Sequence, residues 1–321
     1  MNKSILGIHH ITAITGDAQQ NIDFYTGVLG LRLVKVTVNF DDPGSYHFYY
    51  GDGRGSPGTI LTFFAWPGAR RGRHGNSQVT ATSFAVPQGS LPFWCDRFAT
   101  QVVASDPPQE RFGQRYVPFT DGDGMRLELV EAAETDAGRM WEGGSVPLDF
   151  AIHGFHSATL SEAGNERTAA LLTETMGFRT VGQEQNRFRY EVNHGGSSRT
   201  VDVIRDPGTR EGLVAVGTVH HIAWRTADDA QQGDWRREIG GRGYDVTPVM
   251  DRIYFHSIYF HEPGGILFEI ATDVPGFAVD ESLEQLGSGL KLPPWLEQHR
   301  SRIERTLPVI ERLPHKQGVA S

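Results

Sequence analysis

One histidine doublet occurs twice in the chain. Gly7-Ile8-His9-His10-Ile11 lies near one end, and Thr218-Val219-His220-His221-Ile222 returns far downstream. Each doublet sits in a short apolar run ahead of a helical pattern, without the four-residue spacing of a zinc-binding helix. Alternation along a strand puts His10 on one face with Thr12 and Ile14, and His221 on one face with Ala223 and Arg225. One imidazole from each run can therefore approach a single metal ion. Glu269, in the apolar run Gly265–Ala271, is the candidate third ligand. Burying a lone carboxylate is costly, and a bound cation lowers that cost. Two histidines and one carboxylate leave adjacent coordination positions open, which suits non-haem Fe(II) and oxygen chemistry. Mn(II) or Zn(II) would fit the same donors.

These residues need strands to carry them, and the order of elements repeats at intervals of roughly 70 residues. Unit one reads as strand Ile8–Thr15, a helix capped by Asp17 and stopped by Gly30, then extended segments Arg32–Asn39, Tyr46–Tyr50 and Thr59–Ala65. Unit four copies it: strand His220–Arg225, a helix with Thr226 and Asp229 as a capping box, then Tyr244–Val249, Tyr254–Phe260 and Ile266–Ala271. Unit three starts near His153 and includes Arg187–Asn193 and Thr200–Ile204. Unit two, from Ala81 through the helix Leu91–Phe98 to Leu127–Val130, is the most divergent. Units two and three hold a weaker echo of the site in Glu128, His156 and Asp202, read as a decayed site or ordinary polar structure. Glu131 and Glu134 read as solvent-facing or linker residues.

A small sheet with a helix on one face cannot bury both sides alone, so units must pair and enclose a concave space. The expected fold is α+β, four βαβββ modules paired into two domains, 1–136 and 147–279, with a helical extension over 280–321. Pro293-Pro294 should start a helix through Trp295, Leu296, Ile303, Leu307 and Ile310, packed outside or lying over the cavity as a lid.

The 321 residues carry a formal net charge of -9, which gives no electrostatic case for nucleic acid or anionic lipid. No apolar run is long enough to span a membrane. Lys3 and a short apolar stretch lead straight into the histidines, unlike a signal peptide. Cys95, the single cysteine, reads as a small buried hydrophobe beside Leu91, Trp94 and Phe98, and suits a cytoplasmic location. A homo-oligomer stays open.

Further motifs narrow the reading. Phe24-Tyr25 precedes Leu29-Gly30, and Thr37-Val38-Asn39-Phe40-Asp41-Asp42-Pro43 leads into Tyr46-His47-x-Tyr49-Tyr50-Gly51-Asp52. Asp251-Arg252-x-Tyr254-Phe255-x-Ser257-Ile258-Tyr259-Phe260 precedes Glu269. With both doublets, this arrangement resembles the vicinal oxygen chelate superfamily (glyoxalase, bleomycin resistance and dioxygenase proteins). More narrowly, it resembles ring-cleaving dioxygenases acting on hydroquinones. The resemblance covers about Ile5 to Ala271. It implies vicinal oxygen chelate domains, iron bound by His10, His221 and Glu269, and a pocket lined or tuned by His9, His220, Arg252 and Tyr259. The partners it implies are a small aromatic substrate and O2.

Alternation places Arg252 and Tyr259 on opposite faces, so a bend or bulge must bring them together. His9 and His220 are proton-relay candidates. His47, in a strand rich in aromatics, reads as core packing, with a cavity-facing position as the alternative. Asp41 and Asp42 stand in a Pro-Gly turn and are left outside the site. A metal-dependent glyoxalase-type lyase or thiol transferase, and a metal-free module binding aromatic ligands, remain alternatives. The end of unit one, Gly58–Phe64, offers no carboxylate, which argues against a four-ligand lyase site.

Overall fold

The computed structural model describes residues 3–133 and 140–311. Glu134, the boundary at residue 136 and the end of the extension beyond residue 311 lie outside the described residues. The chain forms two eight-stranded curled sheets flanked by helices, an α+β architecture built from four modules of one strand, one helix and three strands.

The first sheet runs in the order Met250–Asp251, Phe255–His261, Leu267–Pro275, Val219–Thr226, Ile8–Thr15, Ile60–Ala65, Tyr46–Gly51, Arg32–Val38. Modules one and four thus share a sheet, joined where Ile8–Thr15 pairs antiparallel with Val219–Thr226. The second sheet joins modules two and three through antiparallel Gln78–Pro87 and Phe155–Glu162. Each sheet therefore takes one module from each half of the chain, so the two histidine strands lie side by side.

Local sequence explains the turns between elements. Asp17 accepts from the Gln19 and Gln20 amides at 2.9 and 3.0 Å, satisfying free donors of the first helical turn. In modules one and three the helix ends in a π-helical stretch, Asp23–Val28 and Leu171–Thr175. Gly30 follows the first at φ +72°, a left-handed conformation that glycine adopts without strain. In module four Asp228, not the expected Thr226–Asp229 box, caps the helix by accepting from Gln231 N at 2.9 Å.

Other expectations needed correction. Tyr244–Val249 is irregular rather than extended, and a two-residue strand, Met250–Asp251, replaces it. Gln109–Arg111, Gln114–Thr120 and Arg179–Glu184 are strands the sequence pattern concealed. Arg179–Glu184 is almost wholly exposed, so it shows no apolar alternation. Cys95 is half-buried rather than enclosed.

The C-terminal helix breaks into Pro294–Glu297 and Arg300–Thr306. The extension is fastened by Lys35, a buried ammonium 2.6 Å from Asp280 Oδ1 and 2.5 Å from Glu281 Oε2. Trp295 meets Phe40 edge-on at 5.9 Å, so the extension backs the loop that follows Arg32–Val38.

Candidate metal centre

His10, His221 and Glu269 converge. One ligand atom from each lies within 4.8 Å of the others. His10 Nε2 is 3.3 Å and His221 Nε2 2.9 Å from the same Glu269 oxygen, Oε2. All three side chains are buried. Register explains the convergence. His10 and His221 sit on adjacent antiparallel strands, and Glu269 pairs with Ala223, two residues beyond His221 and on the same face.

The donor set fits a divalent cation. His221 Nε2 and Glu269 Oε2 are buried polar atoms that make no hydrogen bond of acceptable geometry. Such orphans are rare unless another partner completes them. Burial alone would raise the Glu269 carboxyl, but His10 and His221 outweigh it and hold the group well below the usual carboxylate range. Burial lowers His221, keeping it a neutral ligand-ready imidazole. Ser257 Oγ donates to Glu269 Oε1, leaving Oε2 for the centre.

Each doublet is internally bonded. His9 Nδ1 lies 2.9 Å from His10 Nδ1, and His220 Nδ1 lies 2.8 Å from His221 Nδ1. One nitrogen of each pair carries the shared proton, fixing the inner ring with Nε2 toward Glu269. A strand irregularity between Ile8 and His10 accompanies the first pair. His220 also faces the cavity, whereas His9 stands behind His10 against Phe255. Burial pushes His9 well below the ordinary imidazole value, and pushes His220 down to about 3.

His10 and His221 line a cavity of about 250 Å³ with Phe40, Phe64, Trp66 and Phe255 among others, and fully buried Glu269 meets both histidines. None of the described residues of the C-terminal extension lines it. Arg252 and Tyr259 meet here, with Arg252 Nε donating to Tyr259 Oη at 3.3 Å. The hairpin pairing Asp251 with His256 resolves their alternation. Arg252 lies in the turn, which Asp251 closes by accepting from Ile253 N at 2.7 Å. Burial, followed by the charge of Glu269, pushes the Tyr259 phenol well above its usual value, so it stays protonated.

Two further residues belong to the lining. Half-buried His47 faces the cavity, the alternative to core packing, with Nε2 2.8 Å from Thr62 Oγ1 and Nδ1 3.0 Å from Tyr49 Oη. Asp41, set aside as a turn residue, reaches the mouth and pairs with Arg252 at 3.4 Å. The alternation of His47 with Tyr49 was a usable signal. Nothing near Asp41 revealed a partner 211 positions away.

The second sheet shows what becomes of the same geometry without histidines. Asp202 pairs with Thr159 and Glu128 with Ser83, so the positions matching His221 and His10 are Ser157 and Ala81. His156 matches the outer histidines, not the inner ones. Arg111 binds both oxygens of Glu128 at 3.0 and 2.6 Å and stands 3.7 Å from Asp202. Arg189 grips Asp202 in a forked pair at 2.8 and 3.0 Å. Guanidinium groups there neutralise the carboxylates.

The family model for the glyoxalase/bleomycin resistance protein/dioxygenase superfamily matches residues 7–129. MhqO of Bacillus subtilis (strain 168), named as a ring-cleaving dioxygenase, is 52% identical over 307 residues, covering 96% of this chain and 97% of its own. The chlorohydroquinone/hydroquinone 1,2-dioxygenase of Sphingobium indicum is 36% identical, covering 94% of this chain and 95% of its own. A crystal structure of a B. subtilis protein named as a dioxygenase superposes with a TM-score of 0.93 at 51% identity, covering 97% of this chain and 100% of that one. Glyoxalase I from Zea mays shares the fold, with a TM-score of 0.63 at 13% identity over 83% of this chain and 92% of its own.

Proposed function

Because this chain belongs to the glyoxalase/bleomycin resistance protein/dioxygenase superfamily, and is related there to hydroquinone-type ring-cleaving dioxygenases, we propose that it opens the ring of a hydroquinone with O2 at an Fe(II) centre. The observation that carries this reading is the convergence of His10, His221 and Glu269 beside an aromatic-lined cavity that both histidines line. Fe(II), held by these three residues, would supply redox chemistry and open positions for a phenolic oxygen and O2.

The chain's own residues do the rest. Phe40, Phe64, Trp66 and Phe255 enclose the ring and exclude water. Tyr259 remains a phenol and donates from Oη to the substrate oxygen. Arg252 holds Tyr259 and offsets the negative charge that develops as the phenol loses its proton. His220 faces the ring with Nε2, while Nδ1 is engaged by His221. Its imidazole is placed to take up the phenolic proton released as the substrate binds. His9 orients His10 from behind. A reducing cytoplasm, which suits both Fe(II) and the single thiol, is the location we assign. Among the described residues no helix is long and apolar enough to cross a membrane.

A lyase site with a second strand carboxylate is disfavoured by Thr62, which occupies the module-one position matching Glu269. The test is a parallel assay of the Fe(II)-loaded protein with dihydroxyaromatics under oxygen and with methylglyoxal plus thiol under nitrogen. Activity only in the first supports ring cleavage; activity only in the second replaces it with lyase chemistry. A folded protein that binds hydroquinone but retains no iron would be a binding module.

A further inference from the structure

A second cavity, of about 210 Å³, lies on the other side of His220 and His221 from the aromatic-lined one. His220, His221 and Leu267 line both spaces and so form the partition between them. Val219 and Ile266 precede His220 and Leu267 in the chain and line the second space with Val79. Val214, which is 42% exposed, and exposed His261 place its mouth at the surface. Ser77, Gln78 and His261 add polar groups to its lining.

We propose that this second cavity admits dioxygen to the centre while the aromatic substrate fills the first. The inference rests on the ring-cleavage reading. An apolar space of about 150 Å³ is filled by benzene. A ring with two hydroxyls therefore takes most of the 250 Å³ of the first cavity and leaves little room there for dioxygen to pass. Dioxygen needs another way in once the ring is bound. Val79, Val219, Ile266 and Leu267 give the space an apolar stretch of wall beside the polar Ser77, Gln78 and His261, and a small uncharged molecule crosses that stretch without the desolvation cost an ion meets. Within the partition His220 and His221 hold each other through their Nδ1 atoms, so half-buried Leu267 is the side chain whose rotation opens the way for a diatomic gas.

The test uses xenon, an apolar probe that occupies such spaces, and needs no metal. Crystals of the metal-free protein under xenon pressure should show xenon beside Val79 and Val219. Val214→Trp, at the mouth and outside the converging triad, should abolish that density. In the iron-loaded enzyme the same variant should raise the KM for O2 by at least about threefold and leave the KM for hydroquinone unchanged. His261→Trp repeats the test should Val214→Trp fail to fold. A second cavity without xenon, or an unchanged KM for O2 in a folded variant of active enzyme, overturns the passage. If wild-type enzyme consumes no oxygen, the ring-cleavage reading fails, whatever the xenon shows.

Discussion

Glu269 and Thr62 occupy the same strand position in the two modules of the first sheet. Glu269 pairs with Ala223 on one side and Tyr259 on the other; Thr62 pairs with Thr12 and Tyr49. One carries the carboxylate of the candidate centre, whereas the other holds a neutral chain in which Thr62 donates to Thr12 at 2.9 Å and contacts His47 at 2.8 Å. Thr62→Val keeps the shape and removes the hydroxyl. We expect iron content to be unchanged and stability to fall by about 1–3 kcal/mol, because half-buried His47 and buried Thr12 lose a partner. Denaturant melts with metal analysis check both.

Truncating the three converging residues should act on the metal itself. His10→Ala, His221→Ala and Glu269→Ala should each retain less than about a tenth of wild-type iron after desalting, since each deletes a direct donor. Fe(II) should raise the melting temperature of the wild type and not of the variants, because a ligand stabilises only the state that binds it. Thermal scans under nitrogen with and without Fe(II) measure this.

Tyr259→Phe should retain iron yet lose about 10–100-fold in kcat/KM, the size of one hydrogen bond to a charged oxygen. Arg252→Lys keeps the charge but loses the fork that reaches Tyr259 and Asp41 together, so a similar loss is expected. Steady-state kinetics with iron quantified per protomer separates these effects from metal loss.

A pH effect should arise away from the site. Glu162 and Glu262 face each other where modules three and four meet; burial, followed by its charged neighbour, pushes Glu162 up to about 8. Thr168 Oγ1 donates to Glu262 at 2.6 Å, and the Gly264 and Ile266 amides also bind Glu262. The folded protein thus holds a proton on Glu162 that the unfolded chain, with a value near 4.3, has released. Stability should fall as pH rises between those two values and level off above about 8. Glu162→Gln mimics the protonated form, so its melting temperature should exceed the wild type's at pH 8.5 and converge with it near pH 4.5. Melts across that range test the sign.

The repeat made much of this fold readable. His10, His221 and Glu269 stand in apolar strands where simple alternation fixes the face, and the duplicated doublet shows that two such strands belong together. The hairpin turn that swings Arg252 onto Tyr259 was legible only as a need for some bend, because turn geometry depends on Ile253 at φ +70°, an unusual conformation for a β-branched residue. Asp41 was invisible because an exposed loop carries no periodic pattern. The second sheet was hardest to read. Its strand Gln109–Arg111 has almost no buried face, yet it brings Arg111 to the two carboxylates. Charge neutralisation across distant strands leaves no local trace in sequence.

An oxygen electrode offers the sharpest check of the whole scheme. Protein reconstituted anaerobically with Fe(II) should, on addition of hydroquinone in air, consume about one O2 per ring opened, and Glu269→Ala should consume none. Iron-loaded protein that binds hydroquinone but draws no oxygen, or a Glu269→Ala variant as active as wild type, would refute a dioxygenase built on His10, His221 and Glu269.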